Sequence, residues 1–221
     1  MKEWEPVSKQ AVEEQDLITR ILNGERELFH KLIRPYERAV YLTAFAVLRN
    51  QADAEEAVQE TMLKAFTRLH QLSSTEKFKP WLLQIAVNEA RLKRRSQRNH
   101  LYEPLEPERD PESGFMPRDF ADWRGTPPEI LERKEIRQIV NRALQELPPL
   151  SREIFVLRDV QQLSVQECVQ MLGVSEQVVK VRLHRARLMM REKLTPAFKH
   201  GFLARWLSFK GKNPWSVANI F

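Results

Sequence analysis

Residues 163–191 read LSVQECVQMLGVSEQVVKVRLHRARLMMR, and this stretch decides the fold of the second half of the chain. Ser164, followed three residues later by Glu167, forms a capping-box pattern that marks the start of a helix. Gly173 can supply the left-handed residue that ends this helix, and Ser175 can cap the next one. Two helices joined by a tight glycine turn predict a helix-turn-helix.

The second helix of this motif has an apolar face and a polar face. Val178, Val179, Leu183, Ala186 and Met190 share the inner face by their three- and four-residue spacing. An ordinary helical corner with a solvated basic face fits the spacing alone, but the capped turn and the concentrated positive charge favour binding in the major groove of DNA. The candidate DNA-contacting residues are Ser175, Glu176, Gln177, Lys180, Arg182, His184, Arg185 and Arg187.

Charge is distributed unevenly along the 221 residues, although the net charge of +6 is modest. Residues 77–100 carry +6 and residues 175–193 carry +4, whereas residues 103–128 carry −4 and hold six of the 13 prolines. A proline-rich acidic stretch without apolar periodicity cannot fold alone, so we expect an extended linker there. The predicted organisation is a domain at 12–99, a linker at 100–127, a domain at 128–195 and a tail at 196–221.

Both halves show the apolar periodicity of helices, and no segment alternates as a half-buried strand does. We therefore predict an all-α fold of two small helical domains. In the first half, Asp53 is expected to cap a helix and Pro80 to lie in the first turn of the next one. In the second half, the expected helices are Pro127–Leu147, ended by Pro148 and Pro149, and Arg152–Asp159, capped by Ser151.

A second basic cluster surrounds two aromatic residues. Lys77 and Lys79 bracket Phe78, and Trp81 is close by. Positive charge beside aromatic rings suits single-stranded DNA, because each unstacked base offers a face for stacking. Alternatively, Phe78 and Trp81 belong to the core, and the basic residues at the end of the helix complement its dipole. Those basic residues are Arg91, Lys93, Arg94, Arg95 and Arg98.

Side chains that perform catalysis or bind metals are not clustered in this sequence. Cys168 is the single cysteine, which excludes an internal disulfide and a cysteine-based zinc cluster, and its apolar helix face predicts an inert core thiol. Asp53, Glu56 and Glu60 share a helix face, but no histidine lies one turn away to complete a metal site. We therefore predict a protein that is not an enzyme and has no metal, no cofactor and no small-molecule substrate.

The expected location is the cytoplasm. No run of about 18 apolar residues is long enough to span a membrane. The N-terminus, MKEWEPVSKQAVEEQ, is too charged for a signal peptide. A single cysteine also fits a reducing compartment.

Four stretches, taken in order, resemble the extracytoplasmic-function (ECF) group of the sigma-70 family of bacterial RNA polymerase sigma factors. Residues 53–66 resemble a helix of region 2, and residues 78–90 resemble its loop and promoter-reading helix. Residues 147–157 resemble the opening of region 4, and residues 179–187 resemble the end of its helix-turn-helix. The helix-turn-helix alone also fits response-regulator output domains, and it is the region 2 half that discriminates.

The resemblance implies a non-catalytic subunit that binds the clamp and flap regions of core RNA polymerase. Region 4 would bind the double-stranded −35 element, and region 2 would open the −10 element and capture a flipped base of its single strand in the loop at 73–79. The implied regulator is an anti-sigma factor. It could hold this protein, which is otherwise expected at the nucleoid, at the membrane. The implied −10 residues are Lys77, Phe78, Lys79, Trp81, Asn88, Arg91, Lys93, Arg94 and Arg95. The implied polymerase-binding residues are Asp53, Glu56, Gln59, Glu60 and Lys64.

Two features of the sequence depart from the family pattern. Val181 stands where the family often has a small polar residue, which leaves a DNA contact there open. The tail at 198–221 has apolar residues at helical spacing and could pack on region 4, bind a regulator or touch a membrane surface. A stand-alone helix-turn-helix regulator that needs no polymerase is the alternative function.

Overall fold

The computed structural model describes residues 9–100 and 138–195, with side chains described for 12–97 and 138–195. The predicted tail, and the predicted linker after residue 100, lie outside these residues. The described part of the chain is helical and has no strand, which confirms the all-α prediction. Its helices are α1 (Lys9–Leu22), α2 (Phe29–Ile33), α3 (Glu37–Leu48), α4 (Gln51–Arg68), α5 (Phe78–His100), α6 (138–146), α7 (Pro149–Phe155), α8 (Val165–Leu172) and α9 (Glu176–Leu194).

Small buried side chains bring three helices of the first half together. Ala44 and Val47 of α3, Ala54 and Ala57 of α4, and Ala90 of α5 form a buried cluster. Short side chains at a helix contact allow a close approach of the two backbones. As a result, α4 and α5 lie side by side, and their outward polar faces form one surface.

The start of α4 differs from the prediction. Asn50, in extended backbone (φ −123°, ψ 134°), is the N-cap, and its Oδ1 accepts a hydrogen bond of 3.0 Å from the Asp53 amide. The prediction that Asp53 caps this helix is therefore wrong, because an equally good capping residue stands three positions earlier. Asp53 lies instead in the first turn, where its carboxylate is favourable to the helix dipole.

The start of α7 also differs from the prediction. Pro148 is the N-cap and Pro149 is the first helical residue, where a missing amide hydrogen costs little. Ser151 is buried inside the helix, so the prediction that it caps is wrong. After Phe155 the helix widens into a π turn over Val156–Val160. The helix before α7 is α6, which spans 138–146. The part of the predicted helix Pro127–Leu147 that precedes residue 138 lies outside the described residues.

The helix-turn-helix forms as predicted. Ser164 Oγ accepts from the Glu167 amide at 3.2 Å, and Glu167 Oε2 accepts from the Ser164 amide at 2.6 Å, which completes the capping box. Gly173 ends α8 in the left-handed region (φ 66°), and Ser175 caps α9 by accepting from the Val178 amide. The turn therefore fixes where α9 leaves α8.

Replacing Gly173 with alanine is expected to lower the free energy of unfolding by about 1 kcal/mol, because L-residues are disfavoured at positive φ. A Cβ at this position would meet no atom within 4 Å, so the backbone conformation alone carries the cost. Urea unfolding followed by circular dichroism measures it. Gly173→Asn should lose less, since asparagine tolerates this conformation, and equal losses in the two variants would contradict the assignment.

The two halves of the chain pack against each other. Their buried side chains form one continuous apolar cluster, with α3 of the first half against α7 of the second. Lys79 Nζ donates to the Gln161 carbonyl oxygen at 2.7 Å. Arg91 Nη2 and Arg94 Nη1 donate to the two carboxylate oxygens of Glu153, at 2.7 and 3.0 Å. We call the last three residues the Glu153 junction.

Candidate DNA and polymerase interfaces

The outward face of α9 carries most of the predicted −35 residues. Val179, Leu183, Ala186 and Met190 are buried and fix the inner face of the helix. Among the predicted residues, Arg182 is half-buried and the others are exposed. The exposed side chains with groups that can hydrogen-bond to DNA are Ser175, Glu176, Gln177, Lys180, His184, Arg185 and Arg187.

Besides Arg187, three of these polar groups already have partners within the protein. Ser175 Oγ is occupied in capping α9. Glu176 accepts hydrogen bonds from Lys180, at 2.5 Å, and from Gln166, at 3.1 Å. The Lys180 hydrogen bond is the main cause that lowers the pKa of Glu176 below its ordinary value. A DNA contact by Lys180 therefore requires this exposed pair to open, which costs little at the surface.

Arg187 anchors α9 to the π turn. Its Nε and Nη2 donate to the two carboxylate oxygens of Asp159 at 2.7 and 2.6 Å, in a bidentate pair. The Asp159 side chain is fully buried, whereas that of Arg187 is 47% exposed. The hydrogen bonds that Arg187 donates to Asp159 raise the pKa of Arg187 above its ordinary value. The structure thus gives Arg187 a structural role that the sequence analysis did not identify.

Several predicted −10 residues lie in or beside the contact between the two halves. Arg91 and Arg94 belong to the Glu153 junction, and Arg91 also donates to the Leu172 carbonyl oxygen at 3.3 Å. The Glu153 side chain is only 3% exposed. Desolvation of Lys79 in this contact lowers its pKa. In this conformation, the second half occupies part of the basic face of α5.

The aromatic residues of this region belong to the core. Phe78 is fully buried and packs edge-on against Tyr36, with 5.4 Å between ring centroids. Trp81 is partly buried, 5.9 Å from Phe78. Of the two alternatives that the sequence left open, the core position holds for Phe78, and Trp81 packs partly buried beside it, because the apolar stripe of α5 continues through both. Of the predicted −10 residues, the exposed ones are Lys77, Asn88 and Arg95.

The predicted polymerase residues line one face of α4 and partly pair with α5. Lys93 Nζ lies 2.6 Å from Glu56 and 3.3 Å from Asp53, and the Glu56 hydrogen bond is the main cause that raises its pKa. Lys64 pairs with Glu89 of α5 at 2.5 Å. Lys93, which is predicted to bind DNA, thus pairs with two residues that are predicted to bind polymerase.

Sequence reasoning missed an exposed apolar residue on this face. Leu63 is 59% exposed, one turn from the exposed Gln59 and Glu60. Its spacing from those residues, three and four positions on, is the signal that could have identified it. An exposed apolar side chain beside polar ones on a helix suits a protein contact better than a DNA contact.

Residues 12–97 and 138–195 contain no cluster of three metal-ligating side chains. None of the described helices is both long and apolar enough to cross a membrane.

Comparisons with known proteins identify the family. The family signature of sigma-70 region 2 matches residues 32–100, and that of sigma-70 region 4 matches residues 137–190. The RNA polymerase sigma factor NccH of Alcaligenes xylosoxydans xylosoxydans is 30% identical over 175 residues, which cover 79% of this chain and 90% of NccH. The ECF RNA polymerase sigma factor SigW of Bacillus subtilis is 25% identical over 178 residues, covering 80% and 94% of the two chains. The match to the sigma factor RfaY of Xanthomonas campestris, 31% identical over 79% of this chain, spans 42% of RfaY.

A solved structure supports the fold. The complex of the sigma factor RpoE with the anti-sigma factor NepR from Bartonella quintana matches with a TM-score of 0.57 and 22% identity, over 76% of this chain and 96% of that chain. The expected family is confirmed, and sigma factors are promoter-recognition subunits rather than enzymes. The chain belongs to the ECF group of the sigma-70 family, the sigma factors that bind core RNA polymerase and direct transcription initiation at promoters.

Proposed function

We propose that α9 reads the −35 element in the major groove of double-stranded DNA. The observation that carries this proposal is its outward face, where Gln177, Lys180, His184 and Arg185 are exposed opposite the buried stripe. Amide, ammonium and guanidinium groups supply hydrogen bonds both to base edges and to phosphates. Arg187 is left out of the reading set because its charge is paired with Asp159.

We also propose that α5 and the turn before it bind the −10 element as a single strand. Lys77, Asn88 and Arg95 are exposed and can meet the DNA directly. Arg91 and Arg94 become available only when Glu153 leaves them. Binding of −10 DNA by these two arginines is therefore coupled to separation of the two halves.

The exposed face of α4 is the proposed contact with core polymerase. Gln59 and Glu60 lie one turn from the exposed side chain of Leu63, so polar groups border an apolar anchor, as at many protein interfaces. In this assignment, region 2 spans 12–99 and region 4 spans 128–195, with the linker at 100–127 and the tail at 196–221. We place the protein in the cytoplasm, where it would meet polymerase and promoter DNA.

An anti-sigma factor is the proposed regulator. The RpoE structure that shares this fold is a complex with such a factor, NepR. A regulator that stabilises the packing between the two halves would keep Arg91 and Arg94 bound to Glu153 and away from DNA. Regulation would then require no occupation of α9 itself.

Run-off transcription from a promoter library, with core polymerase plus this protein, tests the α9 assignment. Lys180→Ala and Arg185→Ala should each weaken use of the selected promoter by about 5- to 150-fold, which corresponds to about 1–3 kcal/mol per base contact. Lys31→Ala removes an exposed basic side chain of α2 and serves as the charge-matched control. Equal losses on matched and scrambled −35 sequences would reassign the residue to phosphate binding, and wild-type activity in both α9 variants would contradict the assignment.

A further inference from the structure

Val181 occupies the centre of the outward face of α9. It follows Gln177 by four positions and precedes His184 and Arg185 by three and four, and residues at these spacings are neighbours on a helix surface. Its exposure is 43%, whereas Val179, two positions earlier, is fully buried. The apolar side chain thus lies among polar and basic ones, on the side of the helix that faces away from the core.

Val181 lies outside the buried stripe that packs α9 on the rest of the protein. The buried stripe of this helix consists of Val179, Leu183, Ala186 and Met190, and Val181 is absent from the buried apolar clusters of the described residues. Single exposed apolar residues are common on protein surfaces, so exposure alone decides nothing. The position of Val181 is what matters. It lies within two turns of the N-terminus of α9, and the N-terminal part of a recognition helix is the part that contacts base edges.

The edges of DNA bases offer one apolar group in the major groove, the C5-methyl of thymine. An isopropyl group cannot donate or accept a hydrogen bond, so it cannot read an amide, amine or carbonyl on a base. We propose that Val181 contacts a thymine methyl in the −35 element and thereby favours thymine at one position. This inference rests on the proposed role of α9, and it gives a function to the residue that departs from the family pattern.

Deoxyuridine substitution tests the contact, because it removes only the methyl group from a thymine. Holoenzyme assembled from core polymerase and the full chain is titrated with promoter duplexes in which each −35 thymine is replaced in turn, on either strand. At one position, binding by the wild-type protein should weaken by about 4-fold, the equivalent of the ~0.8 kcal/mol gained when one methyl group is buried. Val181→Ala should bind the thymine and deoxyuridine duplexes about equally at that position.

Leu188 provides the matched control. It is also apolar and exposed, at 47%, but lies seven residues further along α9, about 10 Å away. Leu188→Ala should retain the wild-type penalty for deoxyuridine. Val181→Thr, which keeps one methyl group, should show an intermediate penalty, and circular dichroism should show the same helicity in all three variants.

The outcomes separate this inference from the proposed function. If no deoxyuridine position weakens binding, or if Val181→Ala keeps the full penalty, the thymine contact is wrong; losses in Lys180→Ala and Arg185→Ala would still support α9 as the reading helix. If all of these variants bind like the wild type, α9 is not the reading helix and both proposals fail. A penalty that disappears in Val181→Ala and persists in Leu188→Ala establishes the contact.

Discussion

Charge reversal of Glu153 to lysine is expected to separate the two halves of the chain. Glu153 is buried, and it accepts hydrogen bonds from Arg91 and Arg94 on the opposite half. The variant would place a third positive charge between two arginines, and breaking a buried ion pair in this way costs about 3–5 kcal/mol. Separation would also hydrate Arg152, whose Nε and Nη1 have no acceptor among the described residues and whose pKa is lowered by burial to about 10.

Small-angle X-ray scattering should then show a larger radius of gyration for Glu153→Lys than for the wild type. The affinity for a single-stranded −10 oligonucleotide should rise by about tenfold or more, because two arginines lose their intramolecular partner. Glu192→Lys makes the same charge change at an exposed position of α9 and controls for net charge. Circular dichroism distinguishes separation, which preserves helicity, from unfolding. An unchanged radius together with an unchanged affinity would show that the Glu153 junction does not hold the halves together.

Truncation of Arg187 to alanine is expected to destabilise the second half rather than remove a DNA contact. The variant leaves Asp159, a fully buried carboxylate, without its bidentate guanidinium partner. Loss of one member of a fully buried pair costs about 3–5 kcal/mol. Because Arg187 itself is 47% exposed, we expect a smaller loss of about 2–3 kcal/mol in the free energy of unfolding.

Urea unfolding gives this value, and Lys180→Ala on the same helix is the control. The Lys180 side chain is 64% exposed and pairs with Glu176, a neighbour on its own helix, so its loss should change stability by about 0.5 kcal/mol or less. At temperatures where Arg187→Ala remains folded, its affinity for −35 DNA should stay close to that of the wild type. Wild-type stability combined with a large loss of affinity would return Arg187 to the DNA-reading residues.

Local signals predicted the helix-turn-helix well. The capping box at Ser164, the glycine at 173 and the cap at Ser175 each act within three or four residues, so they can be read directly from the sequence. The caps of α4 and α7 were predicted less well because several good capping residues stand close together. Asn50 competes with Asp53, and Pro149 at the first helical position competes with Ser151.

Contacts between distant residues could not be predicted from the sequence. Glu153 lies 62 residues from Arg91 and 59 from Arg94, and no local pattern indicates that they meet. The same holds for Arg187, whose charge suggests DNA but whose partner is Asp159 on another helix. Phe78 is another example, since the sequence left both an exposed and a core position open for this ring, and its packing against Tyr36 decides between them.

The buried thiol of Cys168 can report when the helix-turn-helix opens. It is the single cysteine, lies on the inner face of α8 and is completely buried. Desolvation is the main cause that raises the pKa of its thiol to about 11, so the reactive thiolate is scarce at neutral pH. Alkylating reagents can therefore reach it only when α8 opens away from its neighbours. The rate of thiol labelling, measured with and without DNA, polymerase or a regulator, reports how each partner changes the stability of the helix-turn-helix.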